Sequence, residues 1–167
     1  HTRFRNVTGV QTCALPILSA NETAARRVVA FMLEHDLTHL DAISRAIASR
    51  TARLMRQAIS RLPDGIYSDH VRLDGFDTPL EIRVSIEVRG NRIIVDFDGT
   101  SPQVPKGINS VLNFTEAFTR YALKCLLAPN SPNNDGSFAP VEVRAPHGSI
   151  VHARFPAPVG GRHLVGL

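Results

Sequence analysis

The sequence predicts an α+β fold: an N-terminal helix pair, an antiparallel β-meander, one further helix and short C-terminal strands, truncated at both ends. Three observations predict it. Apolar residues recur at helical spacing from Leu40 to Leu62, and from Leu80 to Val88 they alternate strictly with polar ones. Pro and Gly, 11 of each, concentrate in the second half, where a chain of short elements needs turns.

Taken in order, Ser19-Ala20-Asn21-Glu22 fits a capping box, the Ser accepting from the third helical amide while the Glu reaches back. Ala24, Val28, Phe31 and Met32 then share one face of a helix ending near His35. Thr38-His39-Leu40-Asp41 offers a second N-terminus. Leu40, Ile43, Ile47, Leu54, Met55, Ala58, Ile59 and Leu62 form the apolar stripe of the helix that follows. Arg45, Arg50, Arg53, Arg56 and Arg61 fall mostly off that stripe, as a solvated face does.

Pro63-Asp64-Gly65 stops the helix. Ile66–Leu73 reads as a strand and Asp74-Gly75 as a turn. Leu80, Ile82, Val84, Ile86 and Val88 mark a half-buried strand, Gly90-Asn91 a two-residue hairpin, and Arg92–Phe97 the return strand. Residues 110–127 read as a third helix capped by Asn109 or Ser110. Its apolar face carries Val111, Phe114, Phe118, Tyr121, Ala122, Cys125 and Leu126, which would make Cys125 a buried, inert thiol. The Pro- and Asn-rich stretch 129–136 cannot continue the helix and reads as a loop; Val141–Arg144 and Ile150–Arg154 read as short strands.

A chain of 167 residues with 43% hydrophobic content supports one domain with a real core. No apolar run is long enough to cross a bilayer, so no membrane partner is expected. Residues 1–17 have no acidic residue and no helical or strand period, and are expected to be a non-native, adapter-derived segment; residues 18–167 form the domain. Setting Arg3 and Arg5 aside from the 19 basic residues leaves 17 against 15 acidic ones, and the net charge falls from +4 to +2. The remaining Arg residues are scattered among carboxylates, a pattern that argues against nucleic-acid binding. Cys125 is then a lone cysteine, which suits a reducing cytoplasm. The C-terminus stops in an apolar run, and the chain is expected to be an internal fragment of a larger subunit.

The densest polar chemistry follows the apolar run Ile93-Ile94-Val95. Asp96, Asp98, Thr100 and Ser101 supply carboxylates and hydroxyls that can bind a cation or phosphate, or can simply end the hairpin in an Asx turn. On the residues alone both readings stand. Asn109 and Asn133 carry amides suited to reading a cyclic amide, and equally suited to caps and turns. Gly160-Gly161-Arg162-His163 joins backbone freedom to a cation and a titratable ring, with Arg162 able to pair with oxygens and His163 able to move a proton. His35 and His39 have the spacing of a helical metal pair, but a helix boundary between them separates the rings, and no metal site is expected here. No G-x-x-x-x-G-K-[ST] occurs, so a P-loop does not hold ATP.

LPDGIY, VDFDGTSPQ, GINSVLNFT, RYALKCLLAPNSPNNDGSFAPVEVRAPHGSIV and PAPVGGRH, in that order, resemble the hydantoinase B / 5-oxoprolinase family from about Leu18 to the C-terminus. The resemblance implies part of an ATP-dependent hydrolase that opens hydantoin or 5-oxoproline rings with a hydantoinase A partner. ATP with Mg would lie in that partner, and a divalent metal site would lie upstream of the region matching Leu18. Asp98 and His163 become candidate catalytic residues; Thr100, Ser101, Asn109, Asn133 and Arg162 become candidate contacts to a cyclic amide or imide. Related members are acetone and acetophenone carboxylase subunits, and a non-catalytic scaffold that docks the hydantoinase A partner is the further alternative.

Overall fold

The computed structural model describes residues 2–161, with side chains from Pro16 onward. In chain order its elements are α1 (Thr2–Glu34), α2 (Asp41–Ile59), β1 (Gly65–Leu73), β2 (Leu80–Arg89), β3 (Arg92–Asp96), α3 (Leu112–Leu127), α4 (Asp135–Phe138) and β4 (Val141–Arg144). The chain divides into two units, the first ending at Arg45 and the second beginning at Ala46.

The first unit is dominated by α1, which begins well before the expected capping box. Ser19 therefore lies inside the helix and caps nothing. Once a helix is nucleated, each added residue gains a hydrogen bond, and Ser or Asn costs only tenths of a kcal/mol inside it. Pro16 also sits within α1 and forfeits one such bond. The C-terminus of α1 closes where expected. The Leu37 amide donates to the Met32 carbonyl at 2.8 Å while Asp36 takes a left-handed φ of 51°, a position usually given to Gly. His35 and His39 both fall in this connection and share no helix. Ile17, Leu18, Val28, Val29, Phe31 and Leu33 are all exposed.

In the second unit a four-stranded sheet in the order β1-β2-β3-β4 carries the core on one face. The expected meander is present: β1 pairs antiparallel with β2, and β2 with β3. Alternation does the sorting. Leu80 and Val88 of β2, Ile93 and Val95 of β3, and Val141 and Val143 of β4 are buried. The intervening Glu81, Arg83, Glu87, Asp96, Glu142 and Arg144 lie on the opposite, solvated face. Met55 and Ile59 of α2, together with Leu123 and Leu127 of α3, pack against the inner face. Each fully buried aliphatic side chain contributes about 1.5–3 kcal/mol. The Arg-rich side of α2 is solvated as expected, although Ile47 and Leu54 of its apolar stripe are exposed too.

The short strand expected at Val141–Arg144 is present as β4 and runs parallel to β3, because the crossover through α3 and α4 returns the chain to the same end of the sheet. Three further expectations are corrected. Ile150–Arg154 is no strand: Gly148 (φ 92°) turns the chain, and Ile150 and Ala153 bond to the loop residues Ser101 and Ser110 instead of a ladder. Most consequentially, α3 turns the other way. Thr115, which donates its hydroxyl to the Val151 carbonyl at 2.6 Å, and the two leucines face inward. Phe118, Tyr121, Cys125 and Leu126 are exposed, so the Cys125 thiol is not buried. The N-cap of α3 is Val111 without a side-chain bond, not Asn109 or Ser110.

Candidate functional site

The strand end at Asp96 forms a tight turn. Asp96 Oδ1 accepts the Asp98 amide at 3.0 Å, the Thr100 amide donates to the Phe97 carbonyl at 3.2 Å, and Gly99 takes a φ of 78°. Only Gly adopts that φ without strain, and a Cβ at this position would press on the Arg83 side chain. Phe97 continues the buried row, leaving Asp98 exposed on the opposite face.

Asp98 opens onto a groove of about 500 Å³ along β1 and β2. Strand register builds it. Ser68 lies opposite Ser85, His70 opposite Arg83 and Arg72 opposite Glu81, so their side chains share the outer face. Glu81 Oε1 sits 3.2 Å from Arg83 Nε and 4.0 Å from His70 Nε2. The groove thus brings together three carboxylates (Asp69, Glu81 and Asp98), two guanidiniums, an imidazole and two hydroxyls. Such a set can hold a polar or anionic group, and the His70 imidazole can accept or donate a proton.

Thr100 and Ser101 do not open onto the groove. Thr100 Oγ1 accepts the Arg83 amide and donates to the Arg83 carbonyl, both at 3.1 Å. Ser101 Oγ accepts the Glu81 amide at 2.8 Å. The two hydroxyls fasten the turn to β2. Asn109 is wholly buried, at 0% exposure, and its amide is occupied by backbone. Its Oδ1 accepts the Val104 amide at 2.9 Å, while Nδ2 lies 2.7, 2.9 and 2.8 Å from the carbonyls of Val104, Lys106 and Pro158. The Gly160 and Gly161 amides both bond to its main-chain oxygen at 3.0 Å. Arg162 and His163 lie outside the described residues.

Asn133 lines a different cavity, about 550 Å³ on the outer side of α3, with Phe118, Tyr121 and Phe138 as its apolar walls. The hydrogen bond and charge of the neighbouring Cys125 raise the Tyr121 phenol above its ordinary pKa, with a smaller contribution from burial. Asn134 is held from α2 by the Thr51 hydroxyl at 2.6 Å. The sequence-derived candidates therefore do not converge. Asp98 faces one cavity, Asn133 another, and Thr100, Ser101 and Asn109 hold loops together. His70, Glu81 and Arg83 were missed because the strands were read for burial alone. Pairing the outward residues of β1 and β2 by hairpin register would have found them.

The motifs and this fold have counterparts among known proteins. A family model described as hydantoinase B/oxoprolinase matches residues 14–166. The chain belongs to the hydantoinase B/oxoprolinase family. Among its relatives, the B component of a D-/L-hydantoinase from Pseudomonas sp. (strain NS671) is 34% identical over 89% of this chain and 28% of its own. The 5-oxoprolinase of Saccharomyces cerevisiae is 26% identical over 89% of this chain and 12% of its own. The crystal structure of the ATP-dependent caprolactamase from Pseudomonas jessenii superposes with a TM-score of 0.77 at 26% identity, covering 86% of this chain and 25% of that one. This hydantoinase B-type chain thus spans between about an eighth and just over a quarter of these relatives.

Proposed function

We propose that the chain is part of an ATP-dependent cyclic amide hydrolase that opens a ring such as a hydantoin, 5-oxoproline or a lactam, in company with a hydantoinase A-type partner. The observation that supports this best is the superposition on the caprolactamase, which spans nearly the whole described chain, at an identity shared with the 5-oxoprolinase. An unstrained amide resists attack by water because resonance weakens its carbonyl as an electrophile. ATP supplies the remedy, a phosphorylated oxygen that becomes a good leaving group. Among the described residues, the turns ahead of α3 and α4 present no glycine-rich cradle. In this reading ATP with its Mg is held by the hydantoinase A-type partner, and a divalent metal by a part of the longer protein outside this chain.

In this reading the sheet groove contributes polar contacts near the reacting ring. The Asp98 carboxylate and the His70 imidazole are placed to accept or return a proton, while Arg83 opposes negative charge. Thr100, Ser101 and Asn109 act at one remove, by fixing the turn and loop. A cytoplasmic setting goes with the use of ATP. Among the described residues, no helix is long and apolar enough to cross a membrane.

In the longer hydantoinase-type protein with its partner, Asp98→Asn is expected to lower ring-opening turnover at least about tenfold, as loss of a general acid–base group does, and to leave assembly intact. Unchanged turnover would remove the groove from the chemistry. The chain alone is expected to release no phosphate from ATP, and release by pure material would overturn the partner requirement. The split of the candidate residues favours a second reading, a scaffold portion that docks the partner; assembly lost on substituting Phe118 or Leu126 would support it.

A further inference from the structure

Strand register sets His70, Arg83 and Glu81 together on the outer face of β1 and β2. His70 lies opposite Arg83, and Glu81 stands one outward position further along β2, diagonal to His70. Glu81 is the most enclosed of the three, with 24% of its side chain exposed against 56% for His70 and 57% for Arg83. Its backbone is held by Ser101, which bonds both its amide and its carbonyl.

One oxygen of that carboxylate serves both neighbours. Glu81 Oε1 accepts from Arg83 Nε at 3.2 Å and lies 4.0 Å from His70 Nε2, while Oε2 accepts from Arg83 Nη2 at 3.4 Å. The guanidinium anchors the carboxylate by two contacts, and the carboxylate then presents a fixed negative charge to one nitrogen of the ring. Asp69, the carboxylate next in sequence to His70, is turned to the His70 main-chain amide, which it accepts through Oδ1 at 2.8 Å.

A neutral imidazole carries its proton on either nitrogen, and the group facing one nitrogen selects between the two forms. At 4.0 Å the contact exceeds hydrogen-bond length and acts as charge on dipole: an N–H aimed at the carboxylate is attracted, and a lone pair there is repelled. We propose that Glu81 is a positioning residue that holds His70 in the Nε2–H tautomer, leaving the Nδ1 lone pair as the proton acceptor of the groove. A proton taken at Nδ1 makes the ring a cation with Nε2–H still towards Glu81, and its return restores the same tautomer. The tautomer follows from the geometry alone; its use in ring opening rests on the hydrolase reading above.

The test reads the ring nitrogens of the isotope-labelled 167-residue chain by long-range proton–nitrogen correlation, in alkaline buffer that leaves the rings neutral. His39, exposed in the α1–α2 connection, serves as the internal reference. The ratio of Nε2–H to Nδ1–H is expected to be about two- to fivefold higher at His70 than at His39, the weight of a part-exposed charge contact. Glu81→Met should bring His70 to the His39 ratio with the circular dichroism spectrum unchanged. Glu87→Met, which removes the neighbouring outward carboxylate of β2, should leave it in place. A wild-type ratio no higher than that of His39 would overturn the proposal, and so would a bias that survives Glu81→Met or is lost equally in Glu87→Met. In the longer protein with its partner, Glu81→Met is expected to lower kcat for ring opening about two- to fivefold with KM unchanged. A tautomer bias as expected beside unaltered turnover would overturn the positioning role alone. The hydrolase reading fails separately, if that longer protein shows no ATP-dependent ring opening.

Discussion

Ser101 and Glu81 are joined twice: the Glu81 amide donates to Ser101 Oγ at 2.8 Å, and the Ser101 amide donates to the Glu81 carbonyl at 2.9 Å. A side-chain oxygen thus stands where a neighbouring strand would offer a carbonyl, extending the edge of β2 past the end of β3. The carboxylate of Glu81 faces the groove from that fixed backbone.

Ser101→Ala should therefore act on stability before it acts on any ligand. Leaving the Glu81 amide without its acceptor is expected to cost about 1–3 kcal/mol, read as a lower urea midpoint at unchanged slope. Asp98→Ala, at an exposed position, should stay within about 0.5 kcal/mol. Equal effects of the two would contradict the separate roles given to them.

Asn109→Asp is expected to be worse than Asn109→Ala, although Asp has the closer shape. The buried Nδ2 faces three carbonyl oxygens, from Val104, Lys106 and Pro158, and a carboxylate would set oxygen against oxygen there. Loss of several buried bonds should cost about 2–4 kcal/mol for Ala and more for Asp. Thermal unfolding of both variants at neutral pH checks the order.

Gly136→Ala and Gly107→Ala should differ sharply. A methyl group at Gly136 would run into the Ala48 carbonyl and the Thr51 hydroxyl of α2, whereas at Gly107 it meets nothing within 4 Å. The first should lose about 1–3 kcal/mol through overpacking. The second is expected to be neutral, or to gain a few tenths through reduced freedom of the unfolded chain. Denaturant midpoints measured side by side distinguish them.

Ile59→Ala should destabilise the fold by about 2–5 kcal/mol, the range for a buried aliphatic residue whose cavity cannot collapse. Ile59 is at 0% exposure and packs into the sheet core. Ile47→Ala, on the same helix but exposed, should cost well under about 1 kcal/mol. Comparable losses would mean that the exposed part of the α2 stripe is covered in solution.

The sequence by itself determined the elements whose cause is local. Alternation from Leu80 to Val88, the Gly90-Asn91 turn and the Pro63-Asp64-Gly65 stop each specify their structure within a few residues, and the three-stranded meander follows from them. The ordered motifs also carried the family, because several short segments in register are specific together. Only the tertiary structure decided which side of α3 turns inward. Its apolar residues are numerous enough to argue for either side, and the Thr115 bond to Val151, distant in the chain, picks the one that leaves Phe118 and Tyr121 outside. The same holds for the polar residues. A hydroxyl or amide has the same capacity to fasten a loop as to touch a ligand, and its choice depends on which backbone groups folding brings within reach. For Thr100, Ser101 and Asn109 those partners lie in other segments, whereas Asp98 is left facing the groove and Asn133 the α3 cavity.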